Sequence, residues 1–480
     1  MVETGLLNAV VTGIVTGSVI ALGAIGLSLV YSIAEVPNFA HGELLMLGAY
    51  MAIFVNKPGT VPVYELLASD TQAATTAGLV VLFLLAAGGA VAVIYQLAGR
   101  EGLAGGYWNR DVPDPVGYLV HAAGASVVGL FVVVTTPSIW SGMVLAMVLL
   151  GAFAPLLERR LFRKFRRKDA ELATMLIVTL GLSFVLRFTT QAIYGGQTRT
   201  YTVPNVASVF DTTVPLSAAQ FFDFYLTGSG LVVEMINTGA VGSGDPVSLF
   251  VVEYALPALV GLVVVTVAVG YGAARWRRQS GTTAGQTVGP RLTGGLAGLV
   301  TLLVLVVVLP SSGSVPDSSV ASTRISLSLM RGLTITLALL MMGLLHVLLR
   351  ETKLGVAMRA SSDNLDLAKV TGINTDQVIT ATWVIAGVYA AIGGVMLGVL
   401  FVQVQPNIGF FLLLPMFAGV ILGGIGSVYG AMIGSFVVGL SMDVGIYLLD
   451  IGTVLRVPVA FVVLFVVLLV KPEGIAGGAS

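Results

Sequence analysis

A series of apolar runs, each close to the roughly 20 residues that a helix needs to cross a bilayer, constrains the fold of this chain most. In lipid a helix satisfies its own backbone hydrogen bonds, so such runs favour helices. The sequence therefore predicts an all-α fold, a polytopic transmembrane helical bundle of about 13 spans (12–14), in one transmembrane domain over residues 1–480. The thirteen runs lie at approximately 8–33, 39–56, 76–98, 117–136, 139–157, 173–194, 249–273, 291–310, 326–349, 378–402, 408–425, 427–449 and 453–471, and the pair at 408–449 could include a re-entrant segment.

The composition supports a membrane protein and limits its chemistry. Charged residues make up 10% of the chain, against about 25% in soluble domains. The formal net charge is zero, which gives no general attraction to nucleic acid. The chain has no cysteine, and its three histidines lie too far apart for metal-ligand spacing. We therefore expect no metal, no cofactor, no nucleic-acid partner and no enzymatic site.

Basic residues gather in four places and predict the orientation. They lie at 159–168, at 275–278, at 350–359 and at Lys471. An even number of apolar runs separates each neighbouring pair, so all four fall on one side, and the opposite loops are mainly acidic. Because loops rich in Lys and Arg stay in the cytoplasm, we expect a multi-pass cell-membrane protein with an external N-terminus and a cytoplasmic C-terminus.

The chain shows no energy source of its own. No lysine follows a glycine, so the Gly-Lys step of a phosphate-binding P-loop is missing. A stand-alone secondary transporter remains an alternative, and such transporters carry ionisable residues within their spans. The few candidates are Glu43, Arg187, His346, Asp443, Asp450 and Arg456.

Glycines recur at every fourth position in two segments. Gly13 and Gly17 do so in the first run, and Gly426, Gly430 and Gly434 do so near the end. Small residues at this spacing share one helix face and let two backbones approach closely. The pattern predicts helix packing, either within the chain or against a second membrane subunit.

A polar loop on the basic side, TKLGVAMRASSDNLDLAKVTGINTDQV, predicts a short surface helix. Ser361, Ser362 and Asp363 are helix-capping residue types, and Gly372 is placed to end a helix at about 363–371. Such a helix could dock into a partner. An ordinary solvated connector is the alternative.

Four stretches resemble the permease of branched-chain amino acid ABC importers (the LivH type). They are GSVIALGAIGLSLVYSIAEVPNFAHGELLMLGAY, the basic loop leading into LATMLIVTLGLSFVLR, TKLGVAMRASSDNLDLAKVTGIN, and FAGVILGGIGSVYGAMIGSFVVGL with its KPEGI ending. NFAHGE and the TKLG…MRA…GIN loop are specific when found together in this order.

The resemblance implies an ATP-driven importer of branched-chain or related amino acids. It implies a second permease subunit, two ATP-binding cassette subunits on the cytoplasmic side and an external substrate-binding protein. Related permeases serve urea or short amides, which keeps that substrate class as an alternative. Segment 350–377 would be the coupling loop that contacts the ATPase, and its expected contact residues are Gly355, Arg359, Ala360, Asp363 and Gly372.

The stretch PNFAHGE joins the first two runs and has two interpretations. Pro37 disfavours helix in the residue before it, and Asn38 can cap the next helix. His41 and Glu43 then fall in the first turns, near the positive end of the helix dipole. One interpretation is a helix start in which the histidine and the glutamate share hydrogen bonds. The other is that Asn38, His41 and Glu43 line or gate a translocation path.

The chain is longer than typical members of the family it resembles. The extra length falls mainly at 57–136 and at 200–320, and each segment holds two additional runs. We expect each to be an insertion of two spans, which keeps the flanking motifs on their usual sides.

Overall fold

The computed structural model divides the chain into two compact units, Met1–Val11 with Pro204–Gly332, and Thr12–Val203 with Leu333–Ser480. The residues that it describes are 2–57, 75–103, 114–166, 168, 170–202, 206–209, 212–215, 220–237, 247–279, 297–298, 301–302, 305, 308–316, 319–401 and 403–475.

Helices dominate the described residues. In chain order they are α1 Val2–Ala34, α2 His41–Asn56, α3 Thr76–Leu103, α4 Asp114–Val134, α5 Ile139–Leu157, α6 Arg163–Arg166, α7 Leu172–Tyr194, α8 Leu256–Gln279, α9 Leu329–Glu351, α10 Lys353–Asp363, α11 Leu365–Val370, α12 Thr375–Phe401, α13 Ile408–Gly423, α14 Val428–Leu449 and α15 Arg456–Val470. A π-helical turn, Glu158–Phe162, joins α5 to α6, and a 3-10 turn, Thr453–Leu455, precedes α15.

Ten of the described helices are long and apolar enough to cross a membrane. The helices α2 and α13, of 16 residues each, coincide with two further predicted runs. The thirteenth run, at 291–310, lies largely outside the described residues. The prediction of a polytopic helical bundle is confirmed.

The centre of the larger unit is α12, packed against α2 and α5. Of the apolar window of α12, 78% is buried. Glycines set the close approach of these helices. A Cβ on Gly48 would lie 2.7 Å from Cα of Ala391, and a Cβ on Gly387 would lie 2.5 Å from the carbonyl oxygen of Leu150. The bundle core thus depends on backbone-to-backbone packing, as is usual between membrane helices.

The glycine pattern noted in the sequence lies mostly at such contacts. A Cβ on Gly13 would lie 2.9 Å from Cα of Leu440, and a Cβ on Gly17 equally close to Cα of Phe436, both on α14. Gly430 and Gly434 face α13, where added Cβ atoms would overlap its backbone. Gly426 departs from the expectation, because it lies in the turn between α13 and α14 with φ +89°, and a Cβ there would have no atom within 4 Å.

The segment at 57–136 contains two helices in its described part. These are α3 and α4, and a buried apolar cluster joins them to the end of α2 and to the middle of α5. Its fully buried members are Val55, Leu82, Ala86, Val132 and Leu145.

The segment at 200–320 differs from the expected pair of spans. Its described part holds one long helix, α8, and a five-stranded antiparallel sheet in the order β7-β6-β5-β4-β8. The sequence run at 249–273 begins as strand β6 and becomes helix only at Leu256.

An apolar stretch rich in Val, Phe and Tyr suits a β-strand as well as a membrane-spanning helix, and apolarity alone did not distinguish the two. The strands are β1 Arg199–Thr200, β2 Val206–Val209, β3 Thr212–Pro215, β4 Gln220–Leu226, β5 Gly230–Asn237, β6 Val247–Ala255, β7 Ser311–Ser312, β8 Ala321–Ser326 and β9 Gln403–Val404.

A charged row crosses three strands of this sheet. Asp223 on β4 lies opposite Glu234 on β5 and opposite Arg324 on β8. The guanidinium of Arg324 donates to both oxygens of Asp223, at 2.6 and 2.5 Å. The hydroxyl of Tyr225 lies within hydrogen-bond distance of both carboxylates, 3.3 Å from Oδ2 of Asp223 and 3.2 Å from Oε2 of Glu234, and its single proton is shared between them. Desolvation and the two carboxylates raise the pKa of Tyr225 to about 12, which keeps this hydroxyl a donor.

Candidate translocation and coupling sites

Helix α2 begins inside the bundle. The imidazole Nε2 of His41, its first residue, lies 3.0 Å from the carbonyl oxygen of Gly23. A Cβ on Gly26 would lie 2.8 Å from Cε1 of His41. Gly23 precedes the end of α1 by 11 residues, or about 16 Å of helix. The chain after α1 therefore turns back into the bundle before α2 starts.

The segment that turns back is not helical and is largely buried. Val36 and Asn38 are almost fully buried, and the carbonyl oxygen of Pro37 accepts a hydrogen bond from Thr179 on α7 at 3.1 Å. Asn38 does not cap α2 as expected. Its Oδ1 accepts from the amide of Ala40 at 3.1 Å, in a local turn that ends before the helix begins, and α2 has no side-chain cap.

The structure separates His41 from Glu43. The ring of His41 is completely buried against α1, and Nε2 must be the donor because its partner is a carbonyl oxygen. Glu43 faces α7 instead. These two described side chains share no hydrogen bond, unlike in the first interpretation, because side chains two positions apart on a helix point in different directions.

Glu43 pairs with Arg187 across α2 and α7. Nε of Arg187 donates to Oε1 of Glu43 at 3.0 Å, and Nη2 donates to the same oxygen. The hydroxyl of Ser183 also donates to Oε1, at 3.2 Å. The guanidinium carbon of Arg187 lies 4.6 Å from the ring centre of Phe410. The pair is thus a buried, charge-assisted contact within the 23-residue α7, away from both of its ends.

A second helix begins at the same level. Gly409, in the first turn of α13, meets Gly42, in the first turn of α2, so closely that a Cβ on either residue would overlap the other's carbonyl oxygen. Like α2, α13 has no side-chain cap. The starts of two helices therefore converge beside the Glu43–Arg187 pair. The sequence showed the charge of Arg187 but not its partner, and it did not indicate Ser183, Gly42 or Gly409.

A second buried charged pair joins α14 to α15. Arg456 binds Oδ1 of Asp443, and Thr16 on α1 donates to Oδ2 at 2.7 Å. Both oxygens of this carboxylate therefore have partners. The other ionisable candidate in this region, Asp450, has φ +50° at the end of α14. His346 on α9 contacts the ring of Tyr429 on α14, with ring centres 5.7 Å apart.

The loop between α9 and α12 folds into two short helices rather than the single helix expected at 363–371. The hydroxyl of Thr352 accepts from the amide of Gly355 at 2.9 Å and caps α10. Oδ1 of Asn364 accepts from the amide of Leu367 at 2.9 Å and caps α11. Ser361, Ser362 and Asp363 therefore end the first helix instead of capping the second.

Two glycines shape this loop. A Cβ on Gly355 would overlap the carbonyl oxygen of Leu348, so the turn from α9 into α10 requires glycine. Gly372 has φ +89° and follows α11 directly. The amide of Ile373 donates to the carbonyl of Ala368 at 3.0 Å, and the amide of Gly372 to that of Lys369 at 3.1 Å. This is the hydrogen bonding of a glycine-terminated helix, and the expected helix end at Gly372 is where the structure has it.

The remaining coupling candidates lie at or near the surface of α10. Arg359 and Asp363 are exposed, and Ala360 is half-buried. Between α6 and the start of α12 lies a cleft of about 560 Å³. Arg163 of α6 approaches Asp376 of α12 to 3.6 Å there. The cleft is lined by Arg163, Arg166, Leu365, Lys369, Ile373, Asn374, Thr375, Asp376 and Ile379.

Residues 9–99 and 118–470 match the family described as branched-chain amino acid transport system, permease component. The chain belongs to this permease family. The match includes α2 and α7, which carry the buried Glu43–Arg187 pair. It also includes α10 and α11, the two helices of the loop between α9 and α12. The resemblance to LivH-type permeases is confirmed.

Three relatives show how far the likeness extends. The permease is 38% identical over 152 residues to the high-affinity branched-chain amino acid transport system permease protein LivH of Escherichia coli K12, covering 32% of this chain and 49% of the relative. It is 35% identical over 151 residues to BraD of Pseudomonas aeruginosa, covering 32% and 48%. It is 32% identical over 149 residues to a probable LivH of Methanocaldococcus jannaschii, covering 30% and 47%. The chain thus spans about half the length of the curated relatives it matches, and no solved structure matches it.

Proposed function

We propose that this chain is the membrane-spanning permease subunit of an ATP-driven ABC importer for branched-chain or related amino acids. The family relationship supports a transport role, and the LivH and BraD relatives carry the names of branched-chain amino acid permeases. The observation that carries the proposal is the rigid pair of helices α10 and α11. Both are capped, and both lie in the loop where the sequence resembles a coupling loop.

The surface of α10 and α11 supports an ATPase partner. Val356, Leu367 and Val370 are exposed although they are apolar, which favours a contact with another protein. The side chain of Gln377, at the start of α12, donates to the carbonyl oxygen of Leu97 on α3 at 2.6 Å. Together with the Arg163–Asp376 contact, this ties the loop to α3 and α6. A push on α10 and α11 would therefore reach the spans, with Gly355, Arg359, Ala360, Asp363 and Gly372 as the coupling residues.

The other proposed partners are a second permease subunit, two ATP-binding cassette subunits and an external substrate-binding protein. The orientation that such an assembly needs is an external N-terminus with the loop in the cytoplasm. Two of the three intervals between basic segments support it with an even number of described helices, while the interval between 275–278 and 350–359 holds α9 and the run at 291–310, which lies largely outside the described residues. Two spans, α7 and α8, separate the basic segments at 159–168 and 275–278, and four helices, α12 to α15, separate the coupling loop from Lys471.

The translocation path is proposed to pass the start of α2. Asn38, His41 and Glu43 lie there, inside the bundle and beside the start of α13. Transporters commonly place substrate sites where helices are interrupted within the membrane. Asn38 and His41 act in this proposal by holding the interrupted segment, while Glu43 is the charged group nearest the path.

The test is co-purification followed by uptake. The chain, tagged at Ser480, is purified in mild detergent from cells that also express the proposed partner subunits. The complex is then reconstituted into liposomes together with the substrate-binding protein. We expect two ATP-binding subunits and a second permease in the complex, and ATP-dependent uptake of leucine or valine. A chain that purifies alone and transports under an ion gradient would contradict the proposal and favour a secondary transporter. Uptake of urea with no uptake of leucine would favour the short-amide alternative.

A further inference from the structure

The Glu43–Arg187 pair is asymmetric. All three donors that reach Glu43, two from Arg187 and one from Ser183, bind the same oxygen, Oε1. Oε2 is buried and has no hydrogen-bond partner. Within the described part of the chain, Nη1 of Arg187 likewise forms no hydrogen bond. A buried carboxylate oxygen without a partner is costly, and it is found where a ligand or a function explains it.

The surroundings supply complementary groups for a ligand that carries both charges. The first turns of α2 and α13 meet at Gly42 and Gly409, and neither helix has a side-chain cap. The first amides of the two helices, those of His41 and Ile408, donate to the backbone carbonyls of Asn38 and Gln405, so the amides that follow them are the ones left for an anionic group. Helix N-termini favour an anionic group. Oε2 of Glu43, on the same carboxylate that binds Arg187, favours a cationic donor.

We propose that Glu43 and Arg187 recognise the head group of a zwitterionic α-amino acid, with the ammonium on Oε2 of Glu43 and the carboxylate on Nη1 of Arg187 and the first-turn amides of α2 and α13. This inference rests on the proposed function and names the substrate groups that the path recognises. Phe184 and Phe410 flank the guanidinium, at 5.7 and 4.6 Å from their ring centres, and give the apolar side chain of the substrate a non-polar environment.

The structure has the site in a closed form. Glu43 is 1% exposed, so the head group reaches Oε2 when α7 moves away from α2. Only 22% of the apolar window of α7 is buried against the rest of the chain, so few packing contacts within the chain oppose such a movement. The ion pair closes the site when it is empty, and the substrate replaces it with two equivalent charged contacts. The exchange therefore leaves no buried charge unpaired.

The experiment compares three ligands that differ only in the head group. Binding of leucine, of 4-methylpentanoate (which lacks the ammonium) and of 3-methylbutylamine (which lacks the carboxylate) is measured on the full permease–ATPase complex in lipid nanodiscs. We expect the wild-type complex to prefer leucine over both analogues. Glu43→Gln should lower the affinity for leucine about 10- to 100-fold without lowering the affinity for 4-methylpentanoate. Arg187→Met should lower the affinity for leucine by a similar factor without lowering the affinity for 3-methylbutylamine.

The double variant Glu43→Gln/Arg187→Met keeps the test sound if a single variant fails to fold, since it leaves no unpaired buried charge. It should bind the three ligands equally. Asp443→Asn, in another buried carboxylate–arginine pair of the described spans, is the matched control and should keep the wild-type order of the three ligands. A double variant that still binds leucine more tightly than the two analogues overturns the inference. Single variants that lower the affinities for all three ligands by one common factor also overturn it. A wild-type importer that takes up no amino acid overturns the proposed function itself.

Discussion

Arg187 on α7 binds only one of the two carboxylate oxygens of Glu43 on α2, and the other oxygen is buried with no partner. The two residues are separated by 144 positions in the sequence. An arginine can bind both oxygens of a carboxylate in parallel, so the one-sided arrangement leaves binding capacity unused.

Removing one charge of the Glu43–Arg187 pair should destabilise the folded protein more than removing both charges. Arg187→Met leaves the buried carboxylate of Glu43 without its cation, and such a loss costs about 3–5 kcal/mol. Glu43→Gln/Arg187→Met should recover most of that stability. The measurement is the thermal unfolding of the purified variants in one detergent. Additive losses in the double variant would show that the two charges do not interact.

The Gly42–Gly409 contact should tolerate no side chain. In Gly42→Ala or Gly409→Ala the new methyl group would overlap a backbone carbonyl oxygen, so α2 and α13 must separate. Overpacking of this kind costs about 1–3 kcal/mol. We expect a lower unfolding temperature and a lower yield of monodisperse protein. Gly181→Ala on α7 is the control, because no atom lies within 4 Å of its Cβ position, and equal behaviour of the three variants would contradict the prediction.

Gly372→Pro should uncouple ATP hydrolysis from uptake. Gly372 has φ +89°, which proline cannot adopt, and proline also removes the amide that donates to Lys369. The end of α11 would then be rebuilt and its docking surface displaced. Hydrolysis and uptake are measured in the same liposomes, with Gly372→Asn as control because asparagine tolerates a positive φ better. Normal uptake by the proline variant would refute the coupling role.

Asn56 should be sensitive to the loss of its donor. Its Nδ2 donates to the carbonyl oxygens of Pro137 and Thr202, at 2.9 and 2.8 Å, and its Oδ1 accepts from the amide of Thr202 at 2.7 Å. Asn56→Asp keeps the shape but places an oxygen against two carbonyl oxygens. We expect it to destabilise the protein by about 1–3 kcal/mol, and more than Asn56→Ala does. Thermal unfolding decides the order, and an aspartate variant as stable as wild type would contradict these contacts.

The absence of cysteine makes the orientation directly measurable. A single cysteine that replaces Asp366 on α11 should react with a membrane-impermeant maleimide only in broken cells or inside-out vesicles, where the reagent reaches the cytoplasmic side. A single cysteine at Ser229, in the exposed turn between β4 and β5, should react in intact cells. The reverse pattern would overturn the predicted orientation, and labelling of both sites from one side would overturn the predicted number of spans between them.

The sequence determined the class of this protein because the relevant signals are local. Twelve of the thirteen apolar runs coincide with described helices, since a run long enough to cross a bilayer must become a helix to satisfy its backbone. NFAHGE and the TKLG…GIN loop identified the family, and Gly372 marked a helix end that the backbone has there. The run at 249–273 shows the limit of this reasoning, because its first residues pair with strand β5 in a sheet and become helix only from Leu256.

Only the tertiary structure decided which groups meet. Glu43 and Arg187 were both visible as charges within apolar runs, but no periodicity relates positions 144 residues apart. The contact of Gly42 with Gly409 and the three hydrogen bonds of Asn56 are likewise set by how helices pack. An apolar run specifies that a segment crosses the membrane and nothing about its neighbours. In lipid those neighbours are selected by backbone fit and by the partners that buried polar groups require, and both are properties of the assembled bundle.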